Sequence, residues 1–406
     1  MGQALELNNL TYLERVHGNS NGWITKSVIS ADAYSQYHYK YLELKDMDMT
    51  GDNIYISLNT FYKPCRRIET VKELNALYID LDCYNTEFTK EQIIMNLEEN
   101  YFNKSIPIPN FVIDSGRGLY LIFLINKLPY KALPLWKAVE EYLYKQLKQF
   151  GADKMALDAT RVLRVPNTIN SKSNTKVTIL DEYYYIYDLR EIQKEFLPLL
   201  EPTKKKKGRP NKINFIYRER SLYHARIQDI IKLCELRNYN LKGYREIILF
   251  LYRYWLCSFT DDTEKALDDT LELNKEFAHP LSKTEATRAT RSAEKCYKDK
   301  KREYKYKNET LIELLDITEE EQQHMLTIIS KDEYKRRDRE YQKKKYQDKL
   351  KKDGKLTKKE EVELRRQKIK DLIAQGLTQK EIYTLLNISK RTCINDFKYL
   401  KEQGLL

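Results

Sequence analysis

The clearest alternation of apolar and polar residues lies between Ala76 and Cys83. Successive side chains of a strand point to opposite faces, so this segment would carry aliphatic residues on one face and Asp80 and Asp82 on the other. Two carboxylates about 7 Å apart repel each other, and a divalent cation between them relieves the repulsion. The segment predicts a strand with a candidate metal site. An exposed edge strand with two solvated acids is the alternative.

The neighbouring patterns predict both strands and helices. Residues 110–125 predict a hairpin that turns at Gly116–Gly118, and residues 53–59 predict a strand in the same sheet as Asp80. A capped helix is expected after Thr89, a longer amphipathic helix over 133–150, and a strand at 176–180. This mixture indicates an α+β domain that ends near residue 200.

The rest of the chain has helical periodicity. Apolar stripes over 221–298 predict a compact helical domain, and the last 40 residues predict two short helices and a third that follows Ser389. This C-terminal pattern resembles resolvase-type and regulator-type helix-turn-helix modules. Its third helix would present DNA-contacting residues, namely Ser389, Lys390, Arg391, Thr392 and Asn395. A small helical bundle for protein contacts is the alternative.

These patterns divide the chain into six predicted segments. They are an N-terminal extension (1–54), the α+β domain (55–200), a basic linker (201–218), the helical domain (219–300), a charged basic helical linker (301–366) and the helix-turn-helix module (367–406).

The charge of the chain favours a polyanionic partner. The 406 residues include 72 Lys and Arg against 60 Asp and Glu, a net charge of +12. Residues 331–366 contribute +7, with 16 basic and 9 acidic side chains, although alternating signs at helical spacing also suit a solvated helix. The basic run at 204–212 is expected to act as a tether, and its Gly-Arg-Pro triplet could alternatively lie in an AT-rich minor groove.

Several classes of protein are not expected. The six cysteines are scattered without a CxxC pair, which predicts reduced, packed thiols rather than a zinc site. No signal peptide and no apolar run of about 20 residues is present, so the protein is expected in the cytoplasm without a membrane partner. A GxxxxGK[ST] motif is also missing, which disfavours a built-in ATPase.

Three acidic residues and several basic ones suit nucleotidyl transfer. Asp80, Asp82 and Asp158 could hold two Mg²⁺ or Mn²⁺ ions that activate a 3′-hydroxyl and stabilise the leaving pyrophosphate. The incoming triphosphate would be held by basic side chains, namely Arg117, Arg161, Arg164 and Lys172. Gly116 and Gly118 would let the backbone approach this ligand closely.

The order of these residues resembles the archaeo-eukaryotic primase superfamily, specifically the prim-pol-like replication proteins of plasmids and other mobile elements. The matching motifs are Asp80-Leu81-Asp82, the hairpin Ser115–Tyr120, and Asp158 with the run Arg161–Lys172. The resemblance implies that Ser115, Tyr120 and Asn170 also contact the nucleotide. Tyr120 departs from the family pattern, because it stands where the family has a histidine. Residues 273–293 add a likeness to the helical domain that follows many such primases.

The resemblance implies a replication initiation protein that binds origin duplex DNA and synthesises primers from nucleoside triphosphates on a single-stranded template. A host helicase and a host polymerase are candidate further partners. The alternative is a non-catalytic initiator or regulator that retains a degenerate primase fold, which the missing histidine favours. A rolling-circle nickase would need a paired metal-binding histidine motif, and neither His38 nor His279 has such a neighbour.

Overall fold

The computed structural model describes residues 11–30, 33–197, 212–299, 306–353 and 356–405. The chain forms two compact units, Met1–Ile328 and Ile329–Leu406. The first is an α+β region followed by helices, and the second is all-helical. The predicted fold class, α+β and then all-α, is confirmed.

Two main sheets build the α+β region. The first has the order β2-β1-β3-β8, and the second has the order β11-β6-β7-β5-β4. A two-stranded sheet joins β9 and β10. The strands are β1 (Ile24–Ile29), β2 (Tyr34–Tyr39), β3 (Ile54–Ser57), β4 (Thr60–Phe61), β5 (Val71–Leu81), β6 (Phe111–Asp114), β7 (Leu119–Pro129), β8 (Val162–Arg164), β9 (Ile169–Asn170), β10 (Thr175–Lys176) and β11 (Thr178–Glu182).

The predicted hairpin is confirmed, but one strand prediction is wrong. β6 and β7 pair antiparallel, with Asp114 opposite Leu119. β3 was expected in the sheet that contains Asp80, whereas it pairs with β1 and β8 in the other sheet. β1 and β2 lie within the predicted extension 1–54, so part of that segment belongs to the folded sheet. Alternation marks β3 as a strand but carries no information about its pairing partner.

Helices cover the sheets and form the rest of the first unit. Thr89 caps the helix after β5 with a full capping box, as its sequence predicts. The helices of the α+β region are α1 (Tyr12–His17), α2 (Tyr41–Leu44), α3 (Lys90–Asn100), α4 (Leu133–Leu147) and α5 (Leu189–Phe196), followed by α6 (Lys212–Leu236), α7 (Arg245–Thr260), α8 (Thr263–Glu276), α9 (Lys283–Lys298), α10 (Asn308–Leu315) and α11 (Glu319–Gln322).

The helical region extends beyond the predicted boundary at residue 300. Leu311, Leu315 and Ile328 are fully buried, although they fall in the predicted linker 301–366. The Asp229 carboxylate of α6 accepts backbone hydrogen bonds from residues 326–328, and Arg237 forms an ion pair with Glu321 at 2.7 Å. These contacts join residues that are far apart in sequence, which periodicity does not reveal. At the other boundary, α6 already begins at Lys212, so the last part of the predicted linker 201–218 is helical. The basic residues 204–211 lie outside the described residues.

The second unit consists of α12 (Lys331–Lys352), α13 (Lys358–Ala374), α14 (Gln379–Leu385) and α15 (Lys390–Glu402). The last three helices pack around a small core of Ile369, Ile382, Cys393 and Leu400. Arg365 and Arg366 form ion pairs with Asp396 at 2.7 and 2.9 Å. This three-helix structure therefore includes residues before the predicted boundary at 367.

All six cysteines are free thiols, and five of them are buried, as predicted. No helix within the described ranges is long and apolar enough to cross a membrane.

Candidate nucleotidyl-transfer site

Asp80 and Asp82 lie at the end of β5, where a loop segment forms backbone hydrogen bonds with the strand. The Asp82 amide donates to the Gly151 carbonyl at 2.8 Å, and the Asp153 amide donates to the Asp80 carbonyl at 2.8 Å. This pairing brings Asp153 beside the two predicted carboxylates. The sequence motifs do not include Asp153, and no local pattern distinguishes it from Asp158.

The three carboxylates influence one another electrostatically. Burial raises the pKa of Asp80 to about 7, and repulsion from Asp82 and Asp153 adds to this rise. Burial and the Asp153 charge also raise the pKa of Asp82. Arg161 lowers the pKa of Asp80, but by less than burial and the two neighbouring carboxylates raise it. The cluster is therefore short of positive charge.

Asp158, the predicted third metal ligand, has different partners. Its carboxylate accepts from the Thr160 amide at 3.0 Å and from the Thr160 hydroxyl at 2.7 Å. Burial by itself raises the pKa of Asp158, but the Lys265 charge and the Thr160 hydrogen bonds bring it below its usual value. Lys265 belongs to α8 of the helical region. The structure thus connects Asp158 to that region and does not group it with Asp80 and Asp82.

The hairpin between β6 and β7 is held by its own residues. Ser115 donates its hydroxyl to the Gly118 carbonyl at 3.0 Å, and Lys90 binds Asp114 at 2.6 Å and the Gly116 carbonyl at 2.9 Å. The two glycines also shape the hairpin itself. Gly116 has a φ of +96°, and a Cβ at Gly118 would lie 2.1 Å from the Leu81 carbonyl oxygen. Both glycines therefore allow the hairpin to pack against its neighbours.

Arg117 projects from this hairpin and is exposed. Its guanidinium lies 4.0 Å from the centre of the Tyr84 ring, and its charge lowers the pKa of Asp82. Tyr84 itself lies near Asp82 and also lowers the pKa of that carboxyl. Tyr84 is thus a second neighbour of the acidic cluster that sequence analysis missed, because aromatic residues are common throughout this chain.

Arg161 and Arg164 approach the acidic cluster from the other sheet. Arg161 Nη2 lies 3.2 Å from Asp153 Oδ2, and Arg164 lies on β8 directly opposite Tyr55 of β3. The Arg164 guanidinium is 4.7 Å from the centre of the Tyr55 ring. The structure therefore brings these two predicted nucleotide-binding residues to Asp80 across the gap between the sheets.

Tyr120 is paired with Asp80 across the β5–β7 ladder and is buried. Its hydroxyl lies near Arg164, whose charge lowers its pKa. Burial and the Asp80 charge outweigh this and raise its pKa, so the hydroxyl stays protonated at neutral pH. Tyr120 therefore lies close to one of the candidate phosphate-binding arginines.

Asn170 and Lys172 have different environments. Asn170 is buried and donates from Nδ2 to the Ser115 carbonyl at 2.7 Å, which ties the arginine run to the hairpin. Lys172 is exposed. Asn170 therefore holds the arginine run against the hairpin, whereas the Lys172 side chain is accessible to a ligand from solution.

The donor set suits a hard divalent cation, although the side chains do not converge. Carboxylate oxygens in a cluster deficient in positive charge fit Mg²⁺ or Mn²⁺. Within the part of the chain that the structure describes, no three acidic, histidine or cysteine side chains are arranged to hold a metal ion. The Asp153 carboxylate instead accepts from Arg161 and from the Met155 amide at 2.8 Å.

In the second unit, α15 carries the residues predicted to contact DNA. Ser389 caps the helix by accepting from the Thr392 amide at 3.1 Å, and the two hydroxyls lie 2.8 Å apart. Both hydroxyls are therefore used within the helix cap. Lys390, Arg391 and Asn395 are exposed.

No protein-family model matches the chain. Among solved structures, the primase-polymerase domain of cyanophage S-2L has a TM-score of 0.34 and 12% identity, covering 48% of this chain and 97% of that one. The catalytic domain of primase RepB′ in complex with initiator DNA has a TM-score of 0.30 and 10% identity, covering 47% of this chain and 94% of that one.

A replication protein of Clostridium perfringens is 66% identical over 406 residues, which is the full length of both chains. Two chains with this identity over their whole length share their fold and their domain order. The chain therefore belongs to the same family of replication proteins.

Proposed function

We propose that this protein initiates DNA replication by synthesising primers from nucleoside triphosphates on a single-stranded template. The supporting observation is the meeting of three carboxylates, on and beside β5, with arginines from the opposite sheet. Such an arrangement suits phosphoryl transfer, in which catalysis depends on positioning and on charge stabilisation.

In this proposal, Asp80, Asp82 and Asp153 hold Mg²⁺ or Mn²⁺, and Asp158 serves structure. The ions would activate the attacking hydroxyl and stabilise the leaving pyrophosphate. Asp153 would turn from Arg161 toward the ion, which frees the guanidinium for a phosphate oxygen. Arg164, held against the Tyr55 ring, would bind a second phosphate oxygen, with Arg117 and Lys172 nearer to solvent.

We further propose that α13–α15 form a helix-turn-helix that binds origin duplex DNA. The supporting observations are the exposed Lys390, Arg391 and Asn395 on α15 and the surplus of positive charge over 331–366. A host helicase and polymerase would then extend the primed fork in the cytoplasm.

The catalytic proposal is tested by incubating the full chain with a single-stranded template, Mn²⁺ and either ribo- or deoxynucleotides. We expect short labelled products that disappear in Asp80→Asn, a change that removes one charge and retains the shape. Lys104→Gln, a surface change away from the site, is the control and should keep full synthesis.

A non-catalytic initiator is the second candidate, and it is favoured by the lack of convergent metal ligands among the residues that the structure describes. It would be established if the native chain forms no product under any of these conditions while Asp80→Asn still supports replication of the element in cells.

DNA docking is tested separately by selecting duplexes from a randomised library with the full chain. Arg391→Ala should weaken binding to the selected sequence by about 1–3 kcal/mol. Substitution of Lys343–Lys345 should weaken binding to all sequences alike and flatten its salt dependence. If Arg391→Ala weakened binding to every sequence by the same amount, this would contradict a base-reading role for Arg391.

A further inference from the structure

One exposed stripe of α15 combines charged, amide and apolar side chains. Arg391, Ile394, Asn395 and Lys398 are all exposed and occupy positions i, i+3, i+4 and i+7 of the helix. Residues at this spacing lie on the same face of a helix. Ile394 is 43% exposed, in the middle of this otherwise polar stripe.

The opposite face of α15 determines which way the stripe points. Cys393 and Leu400 are buried in the core of the three helices, and Asp396 is buried between Arg365 and Arg366. These contacts prevent the helix from rotating to bury Ile394. The exposure of Ile394 is thus imposed by packing on the other face.

The chemistry of the stripe matches the major groove of duplex DNA. Arginine pairs with guanine, asparagine pairs with adenine, and an apolar side chain contacts the C5-methyl group of thymine, which is the apolar group that the groove presents. Lys398 is placed to reach a phosphate. The positive charge of Lys390, Arg391 and Lys398 identifies a polyanion as the occupant of this face.

We propose that Ile394 is a specificity-determining residue that reads thymine through its C5-methyl group. This inference rests on the proposed docking of α13–α15 on duplex DNA. It adds the recognition of a base that the polar residues of the stripe do not read. The hydroxyls of Ser389 and Thr392 are used in the helix cap.

The proposal is tested with the full chain and a duplex selected from a randomised library. Each thymine of that duplex is replaced in turn by deoxyuridine, which removes the methyl group and keeps the base pair. We expect one position at which the native chain binds the deoxyuridine duplex about three- to tenfold more weakly, the size expected for one buried methyl contact.

The matched variants assign that methyl group to a side chain. Ile394→Ala should bind the thymine and deoxyuridine duplexes equally well, and Ile394→Val should retain most of the discrimination. Leu385→Ala removes an apolar side chain that is more exposed, at 63%, but lies on α14, and it should discriminate as the native chain does.

The outcomes separate this inference from the docking proposal. A native chain that binds the selected duplex with no sensitivity to deoxyuridine, or an Ile394→Ala chain that keeps the discrimination, overturns the role of Ile394 alone. A native chain that binds no duplex at low salt overturns both.

Discussion

The acidic site of the first unit and the outer face of α15 are built in opposite ways. The acidic site joins residues from β5, β7, β8 and the loop at Asp153, and its groups bond chiefly to one another. The α15 face comes from a single helix, and its side chains extend into solvent. The first site is therefore sensitive to long-range packing, whereas the second depends on one helix and on what holds it in place.

The largest expected effect distinguishes the two candidates for the third carboxylate. Asp153→Asn should weaken Mn²⁺ binding about a thousandfold, as should Asp80→Asn, because each removes a charged ligand from a cluster that lacks alternatives. Asp158→Asn should leave the Mn²⁺ affinity within a few-fold of native. Titration calorimetry checks all three, and an equal loss for Asp158→Asn would restore the assignment made from the sequence.

The second prediction concerns the support of the α15 face. Asp396→Ala should lower the opening free energy of α15 by about 3 kcal/mol, because it leaves Arg365 and Arg366 without their buried acceptor. Hydrogen exchange of peptides that cover 390–402 in the full chain measures this effect. Asp371→Asn on the exposed side of α13 is the matched control. Unchanged exchange in Asp396→Ala would show that the core alone holds the helix.

The third prediction uses the distribution of histidines, all five of which precede residue 329. Burial lowers the pKa of His224 to about 4, against an ordinary value of about 6.5. Because the folded pKa is the lower one, His224 contributes stability at neutral pH that is lost as the pH falls from about 6.5 toward 4. Between pH 7 and pH 5 the loss is about 2 kcal/mol.

The raised pKa values of Asp80 and Asp269 act in the opposite direction, so the comparison is made between variants. His224→Phe should lose about 2 kcal/mol less than the native chain between pH 7 and pH 5. Exposed His279→Gln is the control. Urea unfolding followed by tryptophan fluorescence reports on the first unit, since Trp23, Trp136 and Trp255 all lie in it. Identical pH dependence in the native chain and His224→Phe would contradict the prediction.

The smallest expected effect is at Tyr120. Tyr120→Phe removes a buried hydroxyl beside Asp80 and Arg164 and should reduce nucleotide affinity about fivefold, equivalent to about 1 kcal/mol. Tyr120→His should raise the affinity if the charged imidazolium reaches a phosphate. Equilibrium binding of a fluorescent nucleotide measures both. Equal affinities in all three chains would remove Tyr120 from the site.

Local patterns in the sequence were sufficient for the strand that carries Asp80 and Asp82, the hairpin at Gly116, the cap at Thr89 and the helix after Ser389. Each of these depends on the alternation of apolar residues or on a capping side chain within a few residues. Arg161 and Arg164 were also candidates from the sequence alone, because their charge and spacing are visible in one short run.

Tertiary structure alone decided which acid lies beside Asp80 and Asp82, which sheet β3 joins, and how far the helical region extends. Asp153 and Asp158 lie five residues apart in the same loop, and nothing local distinguishes them. Asp153 reaches the cluster because its amide donates to the Asp80 carbonyl, whereas the Asp158 carboxylate accepts from Thr160 and lies near Lys265, on a helix more than 100 residues later. The periodicity of a sequence carries no information about hydrogen bonds and charge interactions across such separations. Only the folded chain brings their partners together.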